Sequence, residues 1–413
     1  MCSFAHQSSA ALSASVRLQK ADPRRRISLV NDTQTATRTP RKFDIQDTAL
    51  WRFKTRLQFT GWLQTAANSV IVLVLLVIAG IGWLVGAAPV VLVGIPLSLA
   101  TVAALILIFD LATLKAGIRP KGRPGRPRDD LDAWDLMRSR RSCRSFLPIN
   151  LTPEHHSKLM ASVTEHSAPE RLLGIGAVRF EYIAAPLTVW PVVGAHEFLV
   201  AIGPRKYDRD AVVDVGRSLQ HVVLDATRLG IATCWIGPGA DHASILSALG
   251  DRIDPERDHI ICVCAVGYRS RLKPLIVRFM QGSQHRRRPL EQLFFSDPSC
   301  ETPLDVDAHP FDAFGRTYEA CQWSPSSFNG QTTRAVGVAD AAGKVRVDFF
   351  AATPSRYYAA VALGIWLANW EYGAKAAGVT GTFGVVDAGA RDAVGAPELP
   401  RYYTSWTSDA PVS

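Results

Sequence analysis

No aspartate, glutamate, lysine or arginine occurs between Leu57 and Phe109, a run of 53 residues. That absence excludes an ordinary soluble segment, in which charged side chains recur every few positions. Acids are scarce over the first 50 residues as well, although Arg24-Arg25-Arg26 and Arg41-Lys42 fall there. The seven cysteines, at 2, 143, 234, 262, 264, 300 and 321, form no CxxC pair and no ligand spacing with histidine. They indicate neither a zinc site nor a disulfide framework, and Cys262-x-Cys264 reads as a buried strand in a reduced compartment. The histidines are scattered, and His155-His156, after Pro153 at a predicted helix start, reads as a solvated pair. No Ser-His-Asp arrangement and no paired carboxylates are evident, so the sequence offers no nucleophile or acid–base pair of its own.

What is present divides the 413 residues into five parts. Residues 1–56 are polar and basic, with the composition of a disordered tail. Their Arg and Ser enrichment is also that of organelle transit peptides, so a targeting role stays open, whereas the apolar segment starts too far in for a secretory signal. Residues 57–113 would span about 80 Å as one helix, too much for a single crossing of a roughly 30 Å hydrocarbon core and right for two. The sequence therefore predicts a transmembrane hairpin, with helices at Gln64–Val85 and Val90–Leu111, a turn at Gly86–Pro89, and Trp62 and Trp83 near the interfaces. Arg52, Lys54 and Arg56 precede it, and Lys115, Arg119, Lys121, Arg123 and Arg126 follow. Basic flanks on both sides place the two ends, and everything after residue 115, on the cytoplasmic or equivalent face. The net charge of +9 is thus assigned to a bilayer and not to nucleic acid. Residues 114–130 are a Gly/Pro/Arg linker suited to touch anionic lipid.

The remainder predicts an α+β class in two halves, 131–300 and 301–413. Expected helices are Asp129–Ser145, Asp214–Leu229, Phe311–Gln322 and Tyr357–Ala377. Expected strands are Val178–Ala184, Glu197–Ile202, Ile231–Ile236, His259–Val266, Ala335–Val338, Val345–Ala351 and Gly378–Val386. A shift of 148 positions lays Gly216 on Gly364, Leu219 on Leu367, Ala226 on Ala374 and Gly230 on Gly378. A helix with a glycine stop therefore occurs twice, the mark of an internal repeat. Residues 387–413 carry no motif and read as a lid or tail.

Three polar segments stand out. Arg138–Phe146 packs arginine and serine together, side chains suited to a phosphate monoester. Trp323–Gln331 is a loop of hydroxyls and amides able to grip the edge of a heterocycle. Arg286–Leu293 is a second cationic run before an amphipathic turn.

Together these segments resemble the FMN-dependent nitroreductase family. Arg140, Ser142 and Arg144 match its Arg-x-Ser-x-Arg, and Pro325–Gln331 matches its Pro-Ser-Ser-x-Asn-x-Gln loop. Leu229–Gly237 follows its Leu-Gly-x-x-Thr-x-Trp-x-Gly turn, while Gly267-Tyr268 and Arg286–Glu291 match its later signatures. The resemblance covers residues 134 to 390 and implies a nitroreductase-like α/β sandwich. Family members are homodimers with flavins at the interface; here each half keeps one part of a site. His166–Glu170 lacks the loop motif and the second half lacks its own arginine motif, so the resemblance implies a pseudo-dimer with one complete FMN site per chain and no obligate homodimer. It further implies that Arg140, Arg141, Ser142, Arg144 and one of Arg286 or Arg288 hold the phosphate. Pro325, Ser326, Ser327, Asn329 and Gln331 would meet the ring and ribityl chain, and Ile236 and the Gly237 backbone would lie beside flavin N5. The implied activity is hydride transfer from NADH or NADPH through FMN to a small-molecule acceptor, a nitroaromatic or quinone. The alternatives are a flavin store without turnover and a membrane scaffold without flavin.

Overall fold

The computed structural model describes residues 62–86, 88–118, 122–174, 178–190, 192–237, 240–273, 277–278, 286–386 and 399–412. The basic tail, Arg52, Lys54, Arg56, Arg119, Lys121 and part of the predicted lid at 387–398 lie outside them.

The uncharged run forms two helices. Helix α1 spans Trp62–Val85, and α2 spans Ile95–Asp110 between the π turns Val90–Gly94 and Leu111–Lys115. The chain reverses at Gly86 and Ala88, both with positive φ. At Gly82 a Cβ would stand 2.6 Å from the Leu92 carbonyl oxygen, so the glycine permits close packing of the hairpin. The apolar stretches of 21 and 24 residues are long and apolar enough to cross a membrane. At 1.5 Å per residue they measure about 32 and 36 Å. The Ser69, Ser98, Thr101 and Thr113 hydroxyls donate to carbonyls four residues back, which satisfies them within their own helices.

The first lobe is an antiparallel sheet in the order β1 (Arg179–Ala184), β2 (Glu197–Pro204), β4 (Asp258–Gly267), β3 (Ala232–Ile236). Helices α3 (Ala133–Ser139), α4 (Pro153–His166), α5 (Arg209–Arg228) and α6 (His242–Leu249) belong to the same lobe. One sheet face packs Leu199, Cys264 and Val266 against Leu159 of α4 and Leu219 and Val223 of α5. The other packs Phe198, Val200 and Val263 against Ile245 and Leu249 of α6.

The second lobe repeats the plan. Strands β6 (Thr333–Ala339) and β7 (Val345–Ala351), helix α8 (Tyr358–Ala376), and strands β8 (Gly381–Gly384) and β9 (Arg401–Ser408) follow in sequence and lie in the spatial order β6-β7-β9-β8. That is the first lobe's order, helix included, so the chain is internally duplicated as a pseudo-dimer. The two-residue strand β5, Phe294–Phe295, comes from the chain before this repeat and pairs parallel with β6. Its core is aromatic: Phe294, Phe314, Trp366, Trp370 and Trp406 pack with Tyr318 of α7 (Thr317–Gln322).

Four expectations need correction. Helix α3 stops at Ser139, with Asp132 capping it through the Asp135 amide at 2.7 Å, and the cationic run beyond it is extended. The helix expected over Phe311–Gln322 is broken at Gly315, whose positive φ separates a 3₁₀ turn from α7. The motif-poor end holds β9, hydrogen-bonded on both sides by β7 and β8. Its Ser405 hydroxyl is satisfied by buried Asp348, which lets a hydroxyl-rich segment lie inside a sheet. Helix α5 also starts earlier than periodicity suggests, because Asp208 caps it by accepting from the Asp210 and Ala211 amides.

The lobes meet along α5 and α8. At the crossing Gly216 faces Gly364, and a Cβ on either would collide with backbone of the opposite helix, at Val361 or Val213. Polar groups on this face pair across it. Arg217 makes a two-pronged ion pair with Glu371, through Nη2 at 2.9 and 3.0 Å and Nε at 3.2 Å, and His221 Nε2 lies 3.1 Å from the same carboxylate. Burial opposes the Glu371 charge, but the His221 hydrogen bond and Arg217 outweigh it and hold its pKa down to about 2. Burial likewise lowers His221, which therefore sits neutral and donates to Glu371.

Two outcomes follow. Gly364→Ala lowers stability by roughly 2 kcal/mol or more through overpacking, read as a fall in Tm, whereas an unchanged Tm would refute the close approach. Both titrating groups have folded-state pKa values below their unfolded ones, so their stabilisation is present near neutrality. It is lost as pH falls, from about 6.5 downward for His221 and between about 4.5 and 2 for Glu371. Glu371→Gln lowers Tm at pH 7 and flattens the acid limb of a Tm-versus-pH curve; parallel wild-type and variant curves would contradict the assignment.

Candidate functional site

Beyond α3 the chain runs extended beside β3. Ser142 bridges Thr233, the Cys143 amide donates to the Thr233 carbonyl at 2.8 Å, and Phe146 and Leu147 donate to Val193 and Tyr268. Extended backbone alternates its side chains. Arg140, Cys143 and Ser145 are buried while Arg141 is exposed. Arg140 is 5% exposed, and its Nε and Nη1 atoms meet no hydrogen-bond partner among the described residues. Burial, and then the nearby guanidinium groups of Arg287 and Arg141, push its pKa down to about 10.

The loop after α7 approaches from the second lobe. A buried amide chain fixes its base: Gln220 of α5 donates to Asn369 of α8 at 3.0 Å, and Asn369 donates to the Ser324 hydroxyl at 2.7 Å. Phe328, Asn329 and Gln331 all have φ near +50°, three non-glycine residues in the left-handed region within four positions. Such backbone persists only where the surroundings hold it. The restraint here is the extended segment at 286–289. Asn329 Nδ2 and Gln331 Nε2 donate to the Arg286 carbonyl at 2.8 and 3.3 Å, and the Arg288 amide donates to Gln331 Oε1 at 2.8 Å.

This zipper fixes which arginine turns inward. Arg286 and Arg288 are exposed, and Arg288 reaches Gln292 at 3.2 Å. The residue between them, Arg287, donates to the Ser324 carbonyl at 3.0 Å and keeps a buried Nε without a partner. Burial and Arg141 bring the Arg287 pKa down to about 10. Trp323 lies between two cations, with Arg141 Cζ at 4.7 Å and Arg287 Cζ at 5.2 Å from its ring centroid. Such contacts stabilise by roughly 0.5–2 kcal/mol each.

These groups enclose a cavity of about 270 Å³. Arg140, Arg141 and Ser142 line it together with Arg269 and Lys273; Arg287, Trp323, Pro325, Ser326 and Asn329 complete it, and among the described residues no carboxylate is on the wall. The expected residues thus divide. Arg140, Arg141, Ser142, Pro325, Ser326 and Asn329 meet in one cavity; Arg144, Ser327, Gln331, Arg286 and Arg288 are not on its wall. Arg144 lies close enough to buried Cys234 to act on its thiol, and the Gln331 amide is spent on the zipper. Ile236 is buried in the sheet, and Gly237 faces the Tyr358 ring, where a Cβ would stand 3.5 Å from Cε1. Arg269, Lys273, Arg287 and Trp323 are the wall residues that motif reasoning gave no role. Period-two alternation through Arg286–Arg288 was the one available signal, pointing to the middle residue once its neighbours' backbone is pinned.

Residues 132–374 match the sequence model of the family described as "Putative TM nitroreductase". The chain belongs to this nitroreductase family. Among solved structures it is similar to a "putative nitroreductase" from Thermotoga maritima, at 15% identity over 70% of this chain and 98% of that one, with a TM-score of 0.37. A nitroreductase with bound FMN from Bacteroides fragilis aligns at 16% identity over 35% of this chain and 92% of that one, TM-score 0.29. A second with bound FMN, from Desulfitobacterium hafniense, aligns at 18% identity over 35% and 93%, TM-score 0.28. No curated protein matches.

In this nitroreductase-family chain the amide chain behind the loop is open to a direct test. Asn369→Leu strips partners from buried Gln220 and Ser324 and costs about 2–3 kcal/mol, measured by denaturant unfolding. A loss below about 0.5 kcal/mol would mean that Asn369 does not hold the loop.

Proposed function

We propose that the chain is a membrane-anchored, FMN-dependent oxidoreductase that carries hydride from NADH or NADPH to a nitroaromatic or quinone-like acceptor. Family membership supports the oxidoreductase class, and the two apolar helices support the anchor. The observation that carries the reading is Arg140, a buried cation with two N–H groups that meet no partner among the described residues, on a cavity wall where those residues place no carboxylate. An uncompensated buried charge is costly, and a phosphate monoester, with close to two negative charges and several acceptor oxygens, satisfies both the charge and the donors.

In this reading Arg140 and Ser142 hold the phosphate from beside β3 and Arg287 from the segment that leads into β5, with Arg141 kept in place by the Trp323 face. Pro325, Ser326 and Asn329 border the ribityl chain, and the left-handed backbone around Asn329 positions its amide. Strand β3 runs from Thr233, beside Ser142, to Gly237, roughly 13 Å along the strand. We assign the Gly237 amide to the ring end, next to Tyr358. Bound FMN supplies the two-electron redox chemistry, so the chain needs no nucleophile or acid–base pair.

Arg140→Gln and Arg287→Gln each weaken FMN binding by about 2 kcal/mol, roughly thirtyfold, while Arg288→Gln changes it little; fluorescence titration of apoprotein reads all three. Purified protein carries close to one flavin per chain, bleached by NADH or NADPH, and gives parallel double-reciprocal lines with a nitroaromatic. Unchanged FMN affinity in both arginine variants would sink the site. Bound flavin that no acceptor reoxidises would sink the enzyme and leave a flavin store.

A further inference from the structure

A second cavity, of about 340 Å³, shares Arg140, Arg141 and Arg269 with the first. It adds Arg126 and Arg128, has Gly230 to Thr233 on its wall, and among the described residues carries no carboxylate there. The two added arginines come from the linker that leaves the membrane hairpin. That linker is seated on the first lobe as a strap. A Cβ on Gly125 would collide with the Gly230 carbonyl, and one on Gly230 with the Arg126 carbonyl, so backbone lies against backbone. The Arg128 amide donates to the Arg228 carbonyl at 2.6 Å, and the Arg228 guanidinium reaches back to the Leu131 carbonyl at 3.2 Å. On the rim Arg128 meets Asp130 at 3.9 Å.

The charges do not balance with one phosphate. The two walls together bear seven cations: the five arginines named, with Lys273 and Arg287. A phosphate monoester brings about two negative charges. Arg140, buried and with two unpartnered N–H groups, is on both walls.

We propose that the strap cavity is a second anion site, which takes a phosphate group on Arg126 and Arg128 against the Arg140–Arg141 wall. The charge count includes FMN phosphate in the neighbouring cavity, so the proposal rests on that reading. Gly122, where the strap seats against Leu147, is seven residues after Lys115, about 24 Å at full extension. A headgroup of an anionic phospholipid and a free phosphate therefore offer the same chemistry from two sources.

The test uses the full FMN-loaded chain in nanodiscs of phosphatidylcholine alone, of phosphatidylcholine with phosphatidic acid, or of phosphatidylcholine with added inorganic phosphate. Amide hydrogen exchange over residues 122–131 is the readout. Exchange slows at least fivefold with an anion present; slowing with phosphatidic acid alone identifies the headgroup, and slowing with inorganic phosphate as well identifies free phosphate. The R126Q/R128Q double variant loses the slowing and keeps its flavin, whereas R126K/R128K retains most of it. No slowing with either anion, or equal slowing in R126Q/R128Q, overturns the proposal. Protein that takes up no FMN and still shows the slowing would remove the FMN reading and leave the anion site standing.

Discussion

The contact of Gly216 with Gly364 is the constraint on which the rest of this molecule depends. Each helix lies so close to its counterpart that a single methyl group would meet backbone, and the flanking side chains have evolved to pair at that separation. Arg217, Gln220 and Asn369 are buried and Glu371 is half-buried, and each has its partner on the opposite lobe. The same register carries Asn369 to Ser324 and hence the loop to the cavity. Separation of the lobes by the width of a methyl group would leave Arg140 facing no loop.

The second theme is positive charge without a counter-ion. Protein interiors ordinarily pair their guanidinium groups, as Arg217 and Arg346 do here with Glu371 and Asp348. Around the cavity the arginines have each other, an indole face and carbonyls instead. Burial, and then repulsion from neighbouring guanidinium groups, lowers the pKa values of Arg140 and Arg287, yet at about 10 both remain cationic at neutral pH. Stability has been given up locally around these cations.

Much of this was legible in the sequence because the signals were local. A charge-free run defines the hairpin, helical periodicity with a glycine stop marks α5 and α8, and the dense hydroxyls at 324–327 mark the loop. What was not legible depends on distant partners. Arg140–Ser145 looks like the end of a helix until Thr233 is available to pair with it as a strand. Arg401–Ser408, with its alternating hydroxyls and aromatic rings, has no strong pattern until Asp348 is beneath Ser405. The role of Arg287, in place of Arg286 or Arg288, follows from amides on Asn329 and Gln331, more than 40 positions away. Trp323 carries no signal at all without the two cations that flank it.

Strand β5 crosses from the first repeat to pair with the sheet of the second. The polypeptide thus ties its two repeats together at that edge as well as through the α5–α8 crossing. Two separate subunits must find each other, and their shared cavity disappears on dilution; here the second lobe is presented to the first at an effective concentration set by the tether and not by expression level. A single chain can therefore keep its cleft assembled at any concentration, and either half is free to lose whatever the other still supplies.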